Sequence, residues 1–255
     1  MDRLDVLKKD IADYWSDRAT TYAEDGHERN RELWKQDFVR HVSGHYPKKH
    51  PEDIRILDLA TGSGFMTGIA AEAGYCVTAI DLAEGMLEES RRRNAAYADR
   101  ITWLQMNAEA LQFADSTFDV VFSRWLSWVL PRPEKACQEW LRVLKPGGLL
   151  LTYDGTWNRR FYDPEAREEY ERMMAERRRP DLDPASGFSE GMQNRMDAIT
   201  GKLTASYLVR PMWDLCILDV LGADAEEDRV FAGGLGRTEQ QGGTQFLVKA
   251  VKRHT

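Results

Sequence analysis

Apolar residues near the start of the chain recur every three or four positions. Leu4, Leu7, Ile11, Tyr14, Trp15, Ala19 and Tyr22 form one stripe, and Trp34, Phe38 and Val42 form a second. That spacing places side chains on one face of a helix. Residues 1–50 therefore read as two helices, the second punctuated by Gly44 and Pro47. From residue 54 the pattern changes to short, nearly continuous apolar runs alternating with helical stretches. Strands are expected at 54–60, 75–80, 101–105, 118–123 and 149–153, and helices near 65–73, 83–98 and 133–144. Lys145-Pro146-Gly147-Gly148 is a strong helix stop. Apolar strands alternating with helices predict a parallel sheet covered on both faces.

Residues 155–210 break this rhythm and read as a helical insertion. Pro164–Arg179 is charged with few apolar anchors and suits a solvated helix laced with i,i+4 pairs. The PDLDPASG stretch at 180–187 reads as a loop, and 189–205 as another helix. An apolar helical pattern returns at 211–222, and 228–232 and 245–251 are the last expected strands. The expected organisation is a helical cap at 1–50, a core at 51–154, an inserted lid at 155–210 and a closing segment at 211–255.

At 255 residues the chain suits one large domain, or one domain with an insertion. A formal net charge of −7 argues against bulk binding to nucleic acid or anionic membranes, which require a basic face. Cys76, Cys137 and Cys216 form no CxxC pair, so neither zinc nor a disulfide framework is expected. His27, His41, His45 and His50 lack HExxH spacing, and no metal is expected. With no signal-peptide pattern and no long apolar span, the expected setting is the cytoplasm. A homodimer is left open.

The stretch richest in chemistry is Ile56-Leu57-Asp58-Leu59-Ala60-Thr61-Gly62-Ser63-Gly64, a strand entering a glycine turn before a helix. Such a turn lets a ligand approach backbone, in the crevice beyond the carboxyl ends of the strands. Asp81 follows the second strand, where a carboxylate can accept from ribose hydroxyls. A nicotinamide-binding fold shares this layout. Three details distinguish the sequence: Asp58 in the strand end, a next glycine at 68 rather than 67, and three later landmarks. These are Asn107-Ala108-Glu109-Ala110-Leu111, Phe118-Asp119-Val120-Val121-Phe122 and Leu144-Lys145-Pro146-Gly147-Gly148.

On those motifs, residues 54–154 resemble the class I S-adenosylmethionine (SAM)-dependent methyltransferases of the small-molecule type. The resemblance implies a Rossmann-like doubly wound α/β sheet of about seven strands, mostly parallel with an antiparallel last strand, plus helical lid elements. It implies methyl transfer from SAM to a nitrogen, oxygen or sulfur atom of a small molecule, leaving S-adenosylhomocysteine. The family's first motif, DxGxGxG, carries Ala60 in its first glycine place, a mild departure if ordinary backbone angles suffice there. By resemblance, backbone at Ala60, Gly62 and Gly64 approaches the methionine half, and Asp58 receives its ammonium. Asp81 takes the ribose, and Leu82 and Met86 flank the adenine. Asn107 and Ala108 read the adenine edge, with Glu109 in the same turn. Ser123 follows the fourth strand, where donor and acceptor meet. Tyr14, Arg18 and Tyr22 match a helix that closes over the donor, with Arg18 suited to its carboxylate.

For the acceptor, candidates follow the fourth and fifth strands. Trp125, Tyr153 and Asp154 are the catalytic candidates, Asp154 as a base. Arg124, Trp128, Trp157, Arg159 and Arg160 are candidates for substrate binding, by aromatic faces or guanidinium forks. Competing readings stand beside them: Trp125 packing a helix end, Asp154 capping a turn, and Arg159 and Arg160 as solvated charges. A nicotinamide-dependent oxidoreductase and a non-catalytic binding protein on the same fold are the alternatives for the whole chain.

Overall fold

The structure is a computed structural model that describes residues 2–22, 30–177, 189–228 and 245–254. Two helices lead, α1 (Arg3–Tyr22) and α2 (Arg31–His45). An alternating run follows: β1 (Arg55–Leu59), α3 (Phe65–Glu72), β2 (Cys76–Asp81), α4 (Glu84–Arg93) and β3 (Ile101–Gln105). It continues with β4 (Phe118–Arg124), α5 (Pro133–Val143) and β5 (Leu144–Gly155). The chain then forms α6 (Pro164–Arg177), α7 (Glu190–Thr200), α8 (Met212–Val220), β6 (Ala223–Glu227) and β7 (Gln245–Lys252).

The strands make one seven-stranded sheet in the order β3-β2-β1-β4-β5-β7-β6. β1 to β5 pair in parallel, whereas β7 runs antiparallel to both β5 and β6. This is the expected Rossmann-like sheet with its antiparallel last strand. Side chains alternate between faces and feed two cores. Leu57, Leu59, Val121 and Leu150 meet residues of α1, α5, α7 and α8. Ile56, Val120, Phe122 and Leu151 meet α2 and α3.

Several boundaries differ from expectation. The helix expected to 98 ends at Arg93, with a 3-10 turn over Ala95–Tyr97. The helix expected to 205 ends at Thr200. Lys145-Pro146-Gly147-Gly148 does stop α5, but the chain enters β5 at once, and Leu144 pairs with Phe118 across a register shift. A strand not expected from the sequence, β6 at 223–227, is set by pairing with β7; of the strand expected at 228–232, only Asp228 is described, and it lies just past β6. Residues 229–232 and the loop expected at 180–187 lie outside the described residues. Among those described, no helix is long and apolar enough to cross a membrane.

Candidate functional site

A cleft of about 1010 Å³, measured out to open solvent, lies over the carboxyl ends of β1, β2 and β4. Its floor is the turn after β1, from Ala60 to Ser63, with Asp58 below it and Asp81 beside it. Leu82, Met86, Asn107, Ala108 and Glu109 form one side. Arg124 and Trp125 form another, continuing into the apolar run Leu126, Val129, Leu130 and Pro131. α1 forms the roof through Lys8, Ile11, Ala12, Trp15 and Tyr22.

The two buried acids are held differently. Asp58 accepts a hydrogen bond from the Thr67 hydroxyl, and burial pushes its carboxyl up to about 7. Asp81 accepts from the backbone N–H of Gly62 and of Ala83, both at 2.9 Å, and burial pushes it up to about 6. Asp81 thus ties the glycine turn to the start of α4 while keeping lone pairs for a ligand. Glu109 is fully buried, accepts from the Arg132 backbone N–H at 2.6 Å, and pairs with Lys8 of α1 at 3.2 Å. It fastens the roof to the wall.

The turn itself departs from the expected reading at two positions. Ala60 has φ 54°, in the left-handed region, so alanine is strained there rather than neutral. Gly64 is off the cleft wall. A Cβ at Gly64 would lie 2.3 Å from Ser90 Oγ and 2.4 Å from Asn94 Nδ2, so this glycine lets α3 pack against α4. Gly62 differs: it also has a positive φ, of 55°, but a Cβ there meets nothing within 4 Å.

Other expected site residues are off the wall or are engaged differently there. Tyr14 points into the core, and its neighbour Trp15, which sequence reasoning placed only in the buried stripe, lines the cleft. Arg18 bonds Thr21 on its own helix at 3.1 Å and is off the wall. The amide oxygen of Asn107, expected to read adenine, accepts from the Glu109 N–H at 2.9 Å. Ser123 is buried below the floor, and its Oγ makes no hydrogen bond among the described residues.

Of the three expected catalytic residues, Trp125 lines the cleft, whereas Tyr153 and Asp154 are buried away from it. Tyr153 is fully buried, donates to Asp37 at 3.1 Å, and has its phenol pushed well above the usual range by burial. Asp154 accepts from the Ser127 N–H at 2.9 Å and from Arg210 at 3.1 Å. Arg210 also pairs with Asp214, so Asp154 belongs to a buried ionic cluster under α8. Trp128 lies off the wall, donating to the Trp125 carbonyl at 2.7 Å. Trp157, Arg159 and Arg160 line a second, separate cavity beside α6. Arg159 pairs with Asp163 there, and Arg160 with Asp197. Among the described residues, none from 155–210 lines the main cleft, and α1 supplies its roof.

One group of described side chains has metal-ligand spacing: Asp37, His41 and Asp228. The Arg40 guanidinium already spans it, 2.6 Å from Asp37 and 3.1 Å from Asp228.

A mostly parallel sheet, a glycine turn after β1, an acid ending β2 and a roofed cleft together define a Rossmann-like ligand-binding domain. Residues 57–152 match the family described as a methyltransferase domain. The chain is 38% identical over 122 residues to a demethylmenaquinone methyltransferase of Clavibacter sepedonicus, covering 48% of this chain and 47% of that one. It is 37% identical over 126 residues to a ubiquinone/menaquinone biosynthesis C-methyltransferase of Roseobacter denitrificans, covering 48% of each. The chain thus spans about half the length of the curated relatives it matches. In fold it is similar to the CurJ carbon methyltransferase, with a TM-score of 0.58 at 14% identity over 86% of this chain and 54% of that one.

Proposed function

We propose that the protein transfers a methyl group from SAM to a carbon atom of an apolar, ring-bearing small molecule. One observation carries the reading. A single cleft joins the turn at 60–63, with Asp58 and Asp81, to an apolar wall of Leu126, Val129, Leu130 and Pro131 under Trp15. The polar end suits the amino-acid and ribose portions of the donor, and the apolar end suits the acceptor. Bound SAM supplies a methyl group on a sulfonium, which is already a good leaving group. As the new C–C bond forms, the methyl–sulfur bond breaks, S-adenosylhomocysteine leaves, and the ring carbon then gives up its proton to solvent; the chain's part is to position the acceptor and keep water from the transfer. Trp15 and Tyr22, with rings 5.3 Å apart edge to face, present aromatic surface that favours a cation. Each buried acid of the cleft is engaged by hydroxyl, backbone or lysine donors, an arrangement better suited to holding ligands than to deprotonating an amine. The name of one curated relative, a C-methyltransferase, supports a carbon acceptor.

The test is titration calorimetry with SAM and S-adenosylhomocysteine, followed by transfer of labelled methyl to a panel of phenols, quinols and amines. Micromolar binding that weakens at least tenfold in Asp81→Asn, with label entering carbon of an apolar phenol or quinol, is expected. Folded wild-type protein that binds neither nucleoside sinks the donor reading, and label entering only amines sinks the carbon reading.

A further inference from the structure

A cluster of polar side chains lies apart from the cleft, where α2 meets the chain leaving β6. Asp37 and His41 stand one turn apart on α2, and Asp228 reaches them from just past β6. None of the three lines the main cleft. One ligand-capable atom from each lies within 4.8 Å of the other two. His41 Nε2 is 3.0 Å from Asp228 Oδ2 and 3.6 Å from Asp37 Oδ1. The side chains of Asp37, His41 and Asp228 are 12%, 4% and 13% exposed, so water has little access to these atoms.

Arg40 Nη2 sits among them, 2.6 Å from Asp37 Oδ1, 3.1 Å from Asp228 Oδ2 and 2.9 Å from His41 Nε2. These contacts cannot all be hydrogen bonds at once. If His41 Nε2 carries a proton, it donates to Asp228 and meets the Arg40 nitrogen donor against donor. If Nε2 carries a lone pair, it accepts from Arg40 and meets the Asp228 oxygen acceptor against acceptor. Either tautomer leaves one contact between groups of the same kind.

A divalent metal ion removes this conflict. It takes a lone pair from each of the three atoms, and its two charges offset the two carboxylates. Nitrogen and oxygen ligands about 2.1 Å from zinc stand about 3.4 Å apart at a tetrahedral angle. The two separations from His41 Nε2 lie on either side of that value. The second oxygen of Asp37 accepts from the Tyr153 hydroxyl at 3.1 Å, the kind of outer partner that orients a metal-binding carboxylate. Arg40 is free to give way, since its side chain is 51% exposed and its guanidinium can turn to solvent. An imidazole with two carboxylates suits Zn2+ or a similar transition ion better than Mg2+.

We propose that Asp37, His41 and Asp228 form a binding site for a divalent transition-metal ion, with Arg40 as the built-in cation that holds the site together without one. The ion is a structural clip between α2 and the end of β6, and takes no part in methyl transfer. HExxH-type spacing gave no sign of it because Asp228 joins from far along the chain.

The test is calorimetric titration of the full chain, stripped of metal with a chelator, with Zn2+. Co2+ serves as a coloured substitute whose visible absorption reports its ligands. One Zn2+ per chain at micromolar Kd or tighter is expected. His41→Gln and Asp228→Asn should each weaken binding by at least about tenfold and bleach the Co2+ bands. Asp228→Asn carries the test if His41→Gln does not fold. Arg40→Ala should tighten binding by about threefold or more, because the competing cation is gone. Three results overturn the site: folded wild-type protein that binds no Zn2+ at about 100 μM, binding that neither His41→Gln nor Asp228→Asn weakens, which marks an adventitious ion only, or an Arg40→Ala protein that binds no more tightly than wild type.

Discussion

Ala60 and Gly64 sit four residues apart in one turn, yet they obey opposite demands. Ala60 adopts φ 54° with a side chain that disfavours it. The left-handed region costs a non-glycine residue about 1–2 kcal/mol, offset in part by the greater unfolded-state freedom of glycine. Ala60→Gly should therefore raise the unfolding free energy by up to about 1 kcal/mol in urea titrations. Gly64→Ala should lower it by about 2–4 kcal/mol, because a methyl there collides with Ser90 and Asn94. A Gly64→Ala protein of wild-type stability would refute the packing role. Asp58 makes a prediction in pH. Burial raises its carboxyl from an ordinary 3.8 to about 7, so the folded state resists its ionisation. Its contribution to stability is thus greatest below pH 4 and is lost as pH climbs through 7. Ligand binding has the opposite slope, since an ammonium needs the ionised acid. Affinity for S-adenosylhomocysteine should rise between pH 6 and 8 with proton release on binding, and Asp58→Asn should flatten both trends.

At the scale of elements, the end of β5 separates position from role. Asp154 ends a strand beside the cleft, as a catalytic carboxylate would, but it faces Arg210 and the Ser127 N–H. Breaking a buried ion pair from one side costs about 3–5 kcal/mol. Arg210→Met should lower the denaturation midpoint accordingly while leaving donor affinity within about twofold. A variant of normal stability with lost transfer activity would return Asp154 to the chemistry. What the sequence made legible follows the same division. β1, β2 and β4 read clearly because burial on both faces demands unbroken apolar runs. β6, Ala-Asp-Ala-Glu-Glu, escapes the sequence reading because an edge strand with so little apolar content gives no periodic sign. Asp58, Asp81 and the turn at 60–63 were legible because backbone approach and charge are local properties. The partnership of Asp154 with Arg210, 56 residues apart, is not local. Nor is the helical phase that turns Trp15 rather than Tyr14 toward the cleft.

For the whole molecule, α1 joins the wall, the sheet and the inserted segment. It pairs with Glu109 through Lys8, meets Arg195 of α7 through Asp17, and packs Ala19 against Ala83 and Met86. Ligand filling the cleft adds contacts beneath Ile11, Trp15 and Tyr22 and should hold this roof down. Amide exchange in α1 should slow by about tenfold or more at saturating S-adenosylhomocysteine. Exchange in α2, on the opposite side of the sheet, should change far less, and equal protection of both helices would contradict α1 as the roof.

The strand order carries a further consequence. β6 reaches the sheet only through β7, and β7 is drawn from residues 245–252, far along the chain from its other partner, β5. During synthesis, then, β5 emerges with an open flank of unpaired N–H and C=O groups, and that flank waits until about a hundred more residues have left the ribosome. A nascent chain halted in this interval presents an adhesive edge to its neighbours. The last strand is therefore both a structural element and the cover that ends the molecule's most aggregation-prone moment.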